Sequence, residues 1–349
     1  MGNIKTIKTS EYVSPGHPDK TADAVVSYLL DRYMEKDAGV RFAMECQIKD
    51  NFVTLGGEVT TEAEIGIPQV KEWVREAIEK IGYTAEYADR WGRGNCIDPR
   101  ELDVTVHVSK QSPDIAQGVD ADGWGDQGIF FGMAVPDAGL DYMPYDYAIA
   151  KRIGYCLWDG ARSGKIDIGL DIKTQVTVTY GWVSEVIVAA PMRDEAQRDV
   201  ICSYIASAIG EQADIPNIII NGTGAYIRHS SMGDCGTTGR KLAVDFYGSG
   251  CRIGGGAPWG KDATKADVTL NVLARRVALE ESKIRNIPVY SALSCCIGRK
   301  DVQVTLSTKS GETVGTYVTD RPAHEVVKML GMDKPRYFER CVNGLFVGI

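Results

Sequence analysis

Four short segments concentrate the residue types that bind phosphate and divalent metal. SPGHPDK (residues 14–20), GWGDQG (123–128), MGDCGTTGRK (232–241) and GGGAPWGKDATKAD (254–267) are rich in glycine, carboxylates and cations. All four are too polar to be core. Their Lys and Arg side chains can neutralise phosphate oxygens, while Asp19, Asp126 and Asp234 are hard oxygen ligands suited to a Mg²⁺ that keeps part of its water shell. Together they read as a metal–polyphosphate site. Taken singly, each has a plainer reading: GHPDK as a turn and helix start, GDQG as a common turn, and Lys261 and Lys265 as one solvated face. The GGG run lacks the spacing of a Walker loop, so alone it is a flexible turn.

These segments punctuate a chain of alternating strands and helices. Residues 19–36 carry Ala22, Val25, Val26, Leu29, Leu30 and Tyr33 at helical spacing, which predicts a helix burying one stripe. Residues 40–48 alternate Val40, Phe42, Met44, Cys46 and Ile48 against polar neighbours, a strand with Glu45 on its outer face. Residues 52–59 read as its hairpin partner, 68–82 as an amphipathic helix stopping at Gly82, and the run before Lys110 as a strand. The order recurs with strands over 171–181 and 183–190, a helix over 192–210 and a strand over 216–222. A third round follows, with a strand over 241–248, a helix over 267–284, strands from Pro288 and from Asp301, and a last helix over 320–331. Three rounds predict an α+β fold of repeated units. In chain order they give units 1–114, 115–229 and 230–349, whose segments are expected to interleave in space.

The 349 residues suffice for two or three domains with real cores. With 39 basic and 47 acidic side chains the net charge is -8, which argues against broad capture of nucleic acid or anionic membrane. No apolar signal region opens the chain and no run is long enough to span a bilayer, so a cytoplasmic protein is expected. Nine Cys without paired CxxC spacing read as reduced thiols, and four His offer no structural zinc pattern.

GHPDK (16–20), GDQG (125–128), DIKTQV (171–176), GDCGTTGRK (233–241) and GGGAPWGKDATKAD (254–267) resemble, in order and wording, the signatures of the methionine adenosyltransferase family. The resemblance runs from about Thr9 through Ile297, most of the chain. It implies three β-β-α type units around a pseudo-threefold axis. It also implies joining of ATP to L-methionine, by attack of sulfur on C5′, with hydrolysis of the released tripolyphosphate. A thioether carries no proton, so the first step needs no general base; it needs positioning and stabilisation of the leaving oxygen.

By resemblance, His17 stands beside the bridging oxygen, Asp19 and Asp234 hold Mg²⁺, and Glu45 holds K⁺. Lys173, Arg240, Lys241, Lys261 and Lys265 form the clamp on the phosphate chain. Glu58, Gln111 and Lys265 match positions that contact methionine, while Asp126, Asp171, Tyr226, Arg240 and Ile297 match positions around adenosine and methionine. The family pairs its subunits as homodimers or homotetramers with the active site shared across the dimer interface. This chain departs at NGTGAY, where Ala225 replaces an expected Arg and Gly222 a Pro, and at GGGAPWGKD, where Pro258 and Trp259 replace Phe and Ser. CRIGGG stands for ARHGGG, and the loop between Gln111 and Asp126 is shorter than usual. The changes near the GGG segment are expected to sit beside the phosphate clamp, and the shorter loop to gate less tightly.

Overall fold

Twelve strands and nine helices make up the computed structural model, which describes residues 7–110, 123–212, 214 and 216–349. The strands are β1 (Ile7–Val13), β2 (Arg41–Lys49), β3 (Phe52–Thr60), β4 (Asp103–Ser109), β5 (Gly128–Ala134), β6 (Lys173–Thr179), β7 (Trp182–Ala189), β8 (Asn217–Ile220), β9 (Gly236–Thr237), β10 (Val289–Cys295), β11 (Val302–Ser307) and β12 (Thr313–Thr319). The helices are α1 (Pro18–Lys36), α2 (Ile67–Ile81), α3 (Ala85–Trp91), α4 (Tyr145–Arg162), α5 (Gln197–Ile209), α6 (Leu242–Asp245), α7 (Ala266–Arg285), α8 (Ala323–Met329) and α9 (Tyr337–Asn343). Among the described residues no helix is long and apolar enough to cross a membrane.

The strands form three four-stranded sheets, ordered β1-β6-β7-β8, β12-β11-β10-β5 and β4-β3-β2-β9. Each takes one strand from a distant part of the chain: β1 pairs with β6, β5 with β10, and β9 with β2. Each sheet is covered on one side by helices, α4 on β1 and β6, α7 on β5 and β10, and α1 on β2, so the fold is α+β with three similar layers. In β2 the alternation is as the sequence predicts: Phe42, Met44, Cys46 and Ile48 face inward while Glu45 is exposed. α2 likewise buries Val70, Trp73, Val74, Ala77, Ile78 and Ile81.

Three expectations give way to tertiary forces, and one helix has no counterpart in the sequence pattern. Helix α1 does not bury one stripe; it is buried on nearly every side, packed among α2, β2, β9 and α9. Its buried carboxylates are paired internally, as where Asp31 accepts the backbone N–H groups of Tyr337 at 2.8 Å and Phe338 at 2.9 Å, at the start of α9. Residues 241–248 alternate like a strand but form the one-turn α6, because Asp245 is drawn inward to Lys20. α4, unassigned from sequence, contains Gly154 and Gly160. Gly154 is a point of close approach rather than a breaker, since a Cβ there would lie 2.6 Å from the Tyr12 ring. The helix over 320–331 is not the last, because α9 follows it.

β9 is pressed against the start of α1: a Cβ on Gly236 would lie 2.1 Å from the Pro18 carbonyl oxygen. Gly236→Ala is therefore expected to cost about 1–3 kcal/mol of stability through forced separation of these backbones. A lowered urea midpoint checks this, and an unchanged midpoint refutes the close docking.

Candidate active site

His17 caps α1 from an extended backbone conformation, with Pro18 in the first turn where its missing N–H costs nothing. The imidazole Nδ1 accepts the Asp19 backbone N–H at 3.2 Å. An N–H can only donate, so Nδ1 carries the lone pair and Nε2 carries the proton. Burial, then the nearby Lys241 ammonium, pushes the His17 pKa down to about 4, so the ring is neutral at physiological pH. A neutral ring with a fixed tautomer is a hydrogen-bond donor at Nε2.

Asp19 is fully buried in the first turn of α1, where the helix dipole favours negative charge. Its Oδ1 accepts the Thr237 N–H at 2.9 Å and its Oδ2 pairs with Lys241 Nζ at 2.5 Å, with Arg240 Nε 3.5 Å from Oδ1. The turn carrying residues 234–241 is thereby tied to the helix that carries His17.

Ser14 Oγ donates to Leu170 O at 2.6 Å and accepts Ile172 N–H at 2.9 Å, which lays the DIKTQV segment beside GHPDK. Gly16 is required there, since its Cβ would lie 2.3 Å from Leu170 O. Asp171 accepts the Ser230 N–H at 2.9 Å and a hydrogen bond from Tyr226. Burial raises its pKa to about 7 against these bonds, and the charges of Asp234 and Asp19 push the same way. Lys173 opens β6 on its exposed face, 2.6 Å from Glu11, and its charge reaches His17, as does that of exposed Asp234. His17, Asp19, Asp171, Lys173, Tyr226, Asp234, Arg240 and Lys241 therefore form one group.

The remaining candidates lie elsewhere on the chain. Residues 260–262 run along the edge of β2, with Lys261 bridging Ala43, and this places Lys261 near Glu45 on the outer sheet face. Glu58 is opposite Ala43 in β3, in the same row. Lys261 Nζ is 2.6 Å from Asp267, which also accepts the Gly256 N–H at 2.7 Å and so shapes the GGG loop. Lys265 Nζ is buried and makes no hydrogen bond, with Asp262 3.5 Å away. A buried ammonium without an acceptor is costly unless a ligand supplies one. Asp126 and Ile297 are exposed on a third surface, joined through the Trp124–Ile297 bridge. No hydrogen bond or ion pair among the described residues links these two sets to the His17 group. Gln111 and the loop before Asp126 lie outside the described residues.

Trp259, expected beside the clamp, instead turns inward: it is 2% exposed and its Nε1–H donates to Asp245 at 2.8 Å. Ala225 is exposed in its loop. Sequence reasoning missed the backbone donors of Thr237 and Ser230, which have no side-chain signature. It also passed over Lys20 and Asp245 as interior partners. A cavity of about 640 Å³ lined by residues such as Lys151, Arg275 and Phe346 includes none of the candidate residues.

A neutral histidine donor, crowded carboxylates and paired cations at a buried helix start define an α+β enzyme that handles phosphate chains. The comparisons narrow this. Residues 5–113, 121–227 and 229–347 match the models of the S-adenosylmethionine synthetase N-terminal, central and C-terminal domains. The chain is 34% identical to the S-adenosylmethionine synthase of Lacticaseibacillus casei, covering 97% of this chain and 92% of that one. It is 31% identical to that of Mesoplasma florum, covering 98% and 95%. A solved structure described as an unusual S-adenosylmethionine synthetase from Campylobacter jejuni superposes with a TM-score of 0.87 at 30% identity, covering 97% of this chain and 94% of that one. The chain belongs to the S-adenosylmethionine synthetase family.

The ring of His17 is expected to titrate near pH 4 in nitrogen-detected NMR, with the Nε2–H tautomer above that. Because the folded pKa is depressed below the ordinary value of about 6.5, protonation costs stability progressively as pH falls through that window. A His17 titration near 6.5 would show that the ring is solvated.

Proposed function

We propose that this chain is a methionine adenosyltransferase that converts ATP, L-methionine and water into S-adenosylmethionine, phosphate and pyrophosphate. The observation that carries the mechanism is the neutral, tautomer-locked His17 packed against the Asp19–Lys241 pair. Methionine sulfur attacks C5′, and negative charge grows on the oxygen that leaves with tripolyphosphate. His17 donates Nε2–H to that oxygen, while Lys241, Arg240 and Lys173 hold the phosphate oxygens, preorganised before the bond breaks. Asp171 and Tyr226 orient the nucleoside and amino acid, and Lys261 and Lys265 complete the clamp, the buried Lys265 ammonium gaining its acceptor from substrate. The same cations then hold tripolyphosphate for attack by water.

The carboxylates fit Mg²⁺. Asp19 and Asp234 are hard donors whose charges crowd Asp171, and a divalent cation relieves that repulsion. No three His, Cys, Asp or Glu side chains among the described residues stand together as a metal cage, which suits an ion that takes most of its ligands from phosphate and water. Bound there, Mg²⁺ would neutralise charge on the phosphate chain. Glu45, exposed on β2, would hold K⁺. Glu58 and Gln111 would contact methionine, and Asp126 and Ile297 the substrate from the other side.

No hydrogen bond or ion pair among the described residues ties Lys261, Lys265, Asp126 or Ile297 to the His17 group, which supports a working unit that is a homodimer or a dimer of such dimers. Each site takes the His17 group from one copy and the remainder from the next. Nine unpaired thiols support a reducing, cytoplasmic setting.

Incubation with ATP, L-methionine, Mg²⁺ and K⁺ should yield S-adenosylmethionine and phosphate together. Phosphate alone would indicate a polyphosphatase, and neither product a silent homologue. His17→Ala should lower kcat by about 10²–10³-fold with little change in ATP affinity. For the shared site, refolding a mixture of inactive His17→Ala and Lys261→Ala chains should restore measurable activity, since a mixed pair carries one intact site. No recovery from mixed dimers shown to form would mean that each chain builds its own site.

A further inference from the structure

Directly under the His17 group lies a charged cluster that none of the chemistry above uses. Lys20 is 4% exposed, Asp23 0%, Asp245 6% and Trp259 2%. Lys20 Nζ is 3.0 Å from Asp23 and 2.5 Å from Asp245, and it stands 4.3 Å from the centroid of the Trp259 ring. Two carboxylates thus share one ammonium. The surplus is met by two neutral donors, the Trp259 indole N–H to Asp245 Oδ2 at 2.8 Å and the Gly239 backbone N–H to Asp23 Oδ1 at 2.8 Å.

Each member of the cluster is tied by the chain to a site residue. Lys20 follows Asp19, Gly239 precedes Arg240 and Lys241, and one residue separates Trp259 from Lys261. That residue, Gly260, has φ +69°, and a Cβ on it would lie 2.1 Å from Met44 O, so the backbone between Trp259 and Lys261 has little room to adjust. A shift of the indole therefore passes to Lys261 on one side and, through Asp245 and Lys20, to Asp19 on the other.

We propose that Trp259 is a positioning residue for phosphate-chain binding. By donating to Asp245 and covering Lys20 with its ring, it fixes segments 17–20, 239–241 and 259–261 in one relative placement. The position is one where the family resemblance leads to a serine, which has neither the reach nor the π face for this. The inference rests on the reading of the site as an ATP and tripolyphosphate clamp.

The test is calorimetric titration of the whole protein, with Mg²⁺ present, by tripolyphosphate, alongside steady-state kinetics. Trp259→Phe keeps a ring over Lys20 and removes only the N–H, leaving a buried carboxylate oxygen short of a donor. Tripolyphosphate Kd and the KM for ATP should each rise about tenfold while the KM for methionine stays put. Asp245→Asn should shift the same constants, and the double variant should be no worse than the poorer single one, because both act through one contact. If Trp259→Phe does not fold, Asp245→Asn alone carries the measurement. A folded variant with lowered thermal stability but unchanged tripolyphosphate Kd, or additive single effects, would reduce Trp259 to packing and overturn the proposal. Wild-type protein that fails to bind tripolyphosphate would instead overturn the clamp reading itself, and this inference with it.

Discussion

The N-terminus of α1 is a helix end buried in the middle of the molecule, and burying charge there sets the terms for everything around it. Asp19, Lys20 and Asp23 lie within the first two turns, each nearly inaccessible to water. Unpaired, any one of them would cost several kcal/mol. Local sequence cannot pair them all, so partners come from more than 200 residues away: Thr237 and Lys241 for Asp19, Asp245 for Lys20, and Gly239 for Asp23. The fold of the C-terminal third over the N-terminal helix follows from that requirement. One of the residues that satisfies it, Lys241, is also a candidate cation of the phosphate clamp.

The same burial decides the state of His17. Removed from water and set beside Lys241, the ring sheds its proton and keeps it off. In the proposed reaction, whose first step moves no proton, a neutral donor would stabilise the developing oxyanion without a counter-charge that the resting site would have to neutralise. The carboxylates respond in the opposite direction: Asp171 is driven up to about 7 by burial and by its acidic neighbours.

Exposed sheet faces carry several of the candidate residues. β2 and β3 turn Glu45, Glu58 and Thr54 outward, and residues 260–262 extend that face with Lys261. Such a face is polar enough for a monomer in water, and in the proposed dimer a second copy would cover it.

The local elements were legible because their hydrophobic periods are strong. The alternation of Phe42 to Ile48 and the stripe from Val70 to Ile81 specify a strand and a helix by themselves, and the glycine-rich, charged segments announce phosphate chemistry by composition. Segments whose conformation depends on distant partners were not legible. The alternating residues 241–248 became a turn of helix because Asp245 had to reach Lys20, and α4 hid behind glycines whose purpose, close contact with Tyr12, exists only in the packed state. Sequence alone nominated the residues for the chemistry, since residue type fixes what an imidazole, carboxylate or ammonium can do. Only the tertiary structure decided the tautomer of His17, the inward turn of Trp259 and the pairing of Lys261 with Asp267. Each of these depends on burial and packing, which are properties of the folded chain and not of any segment of it.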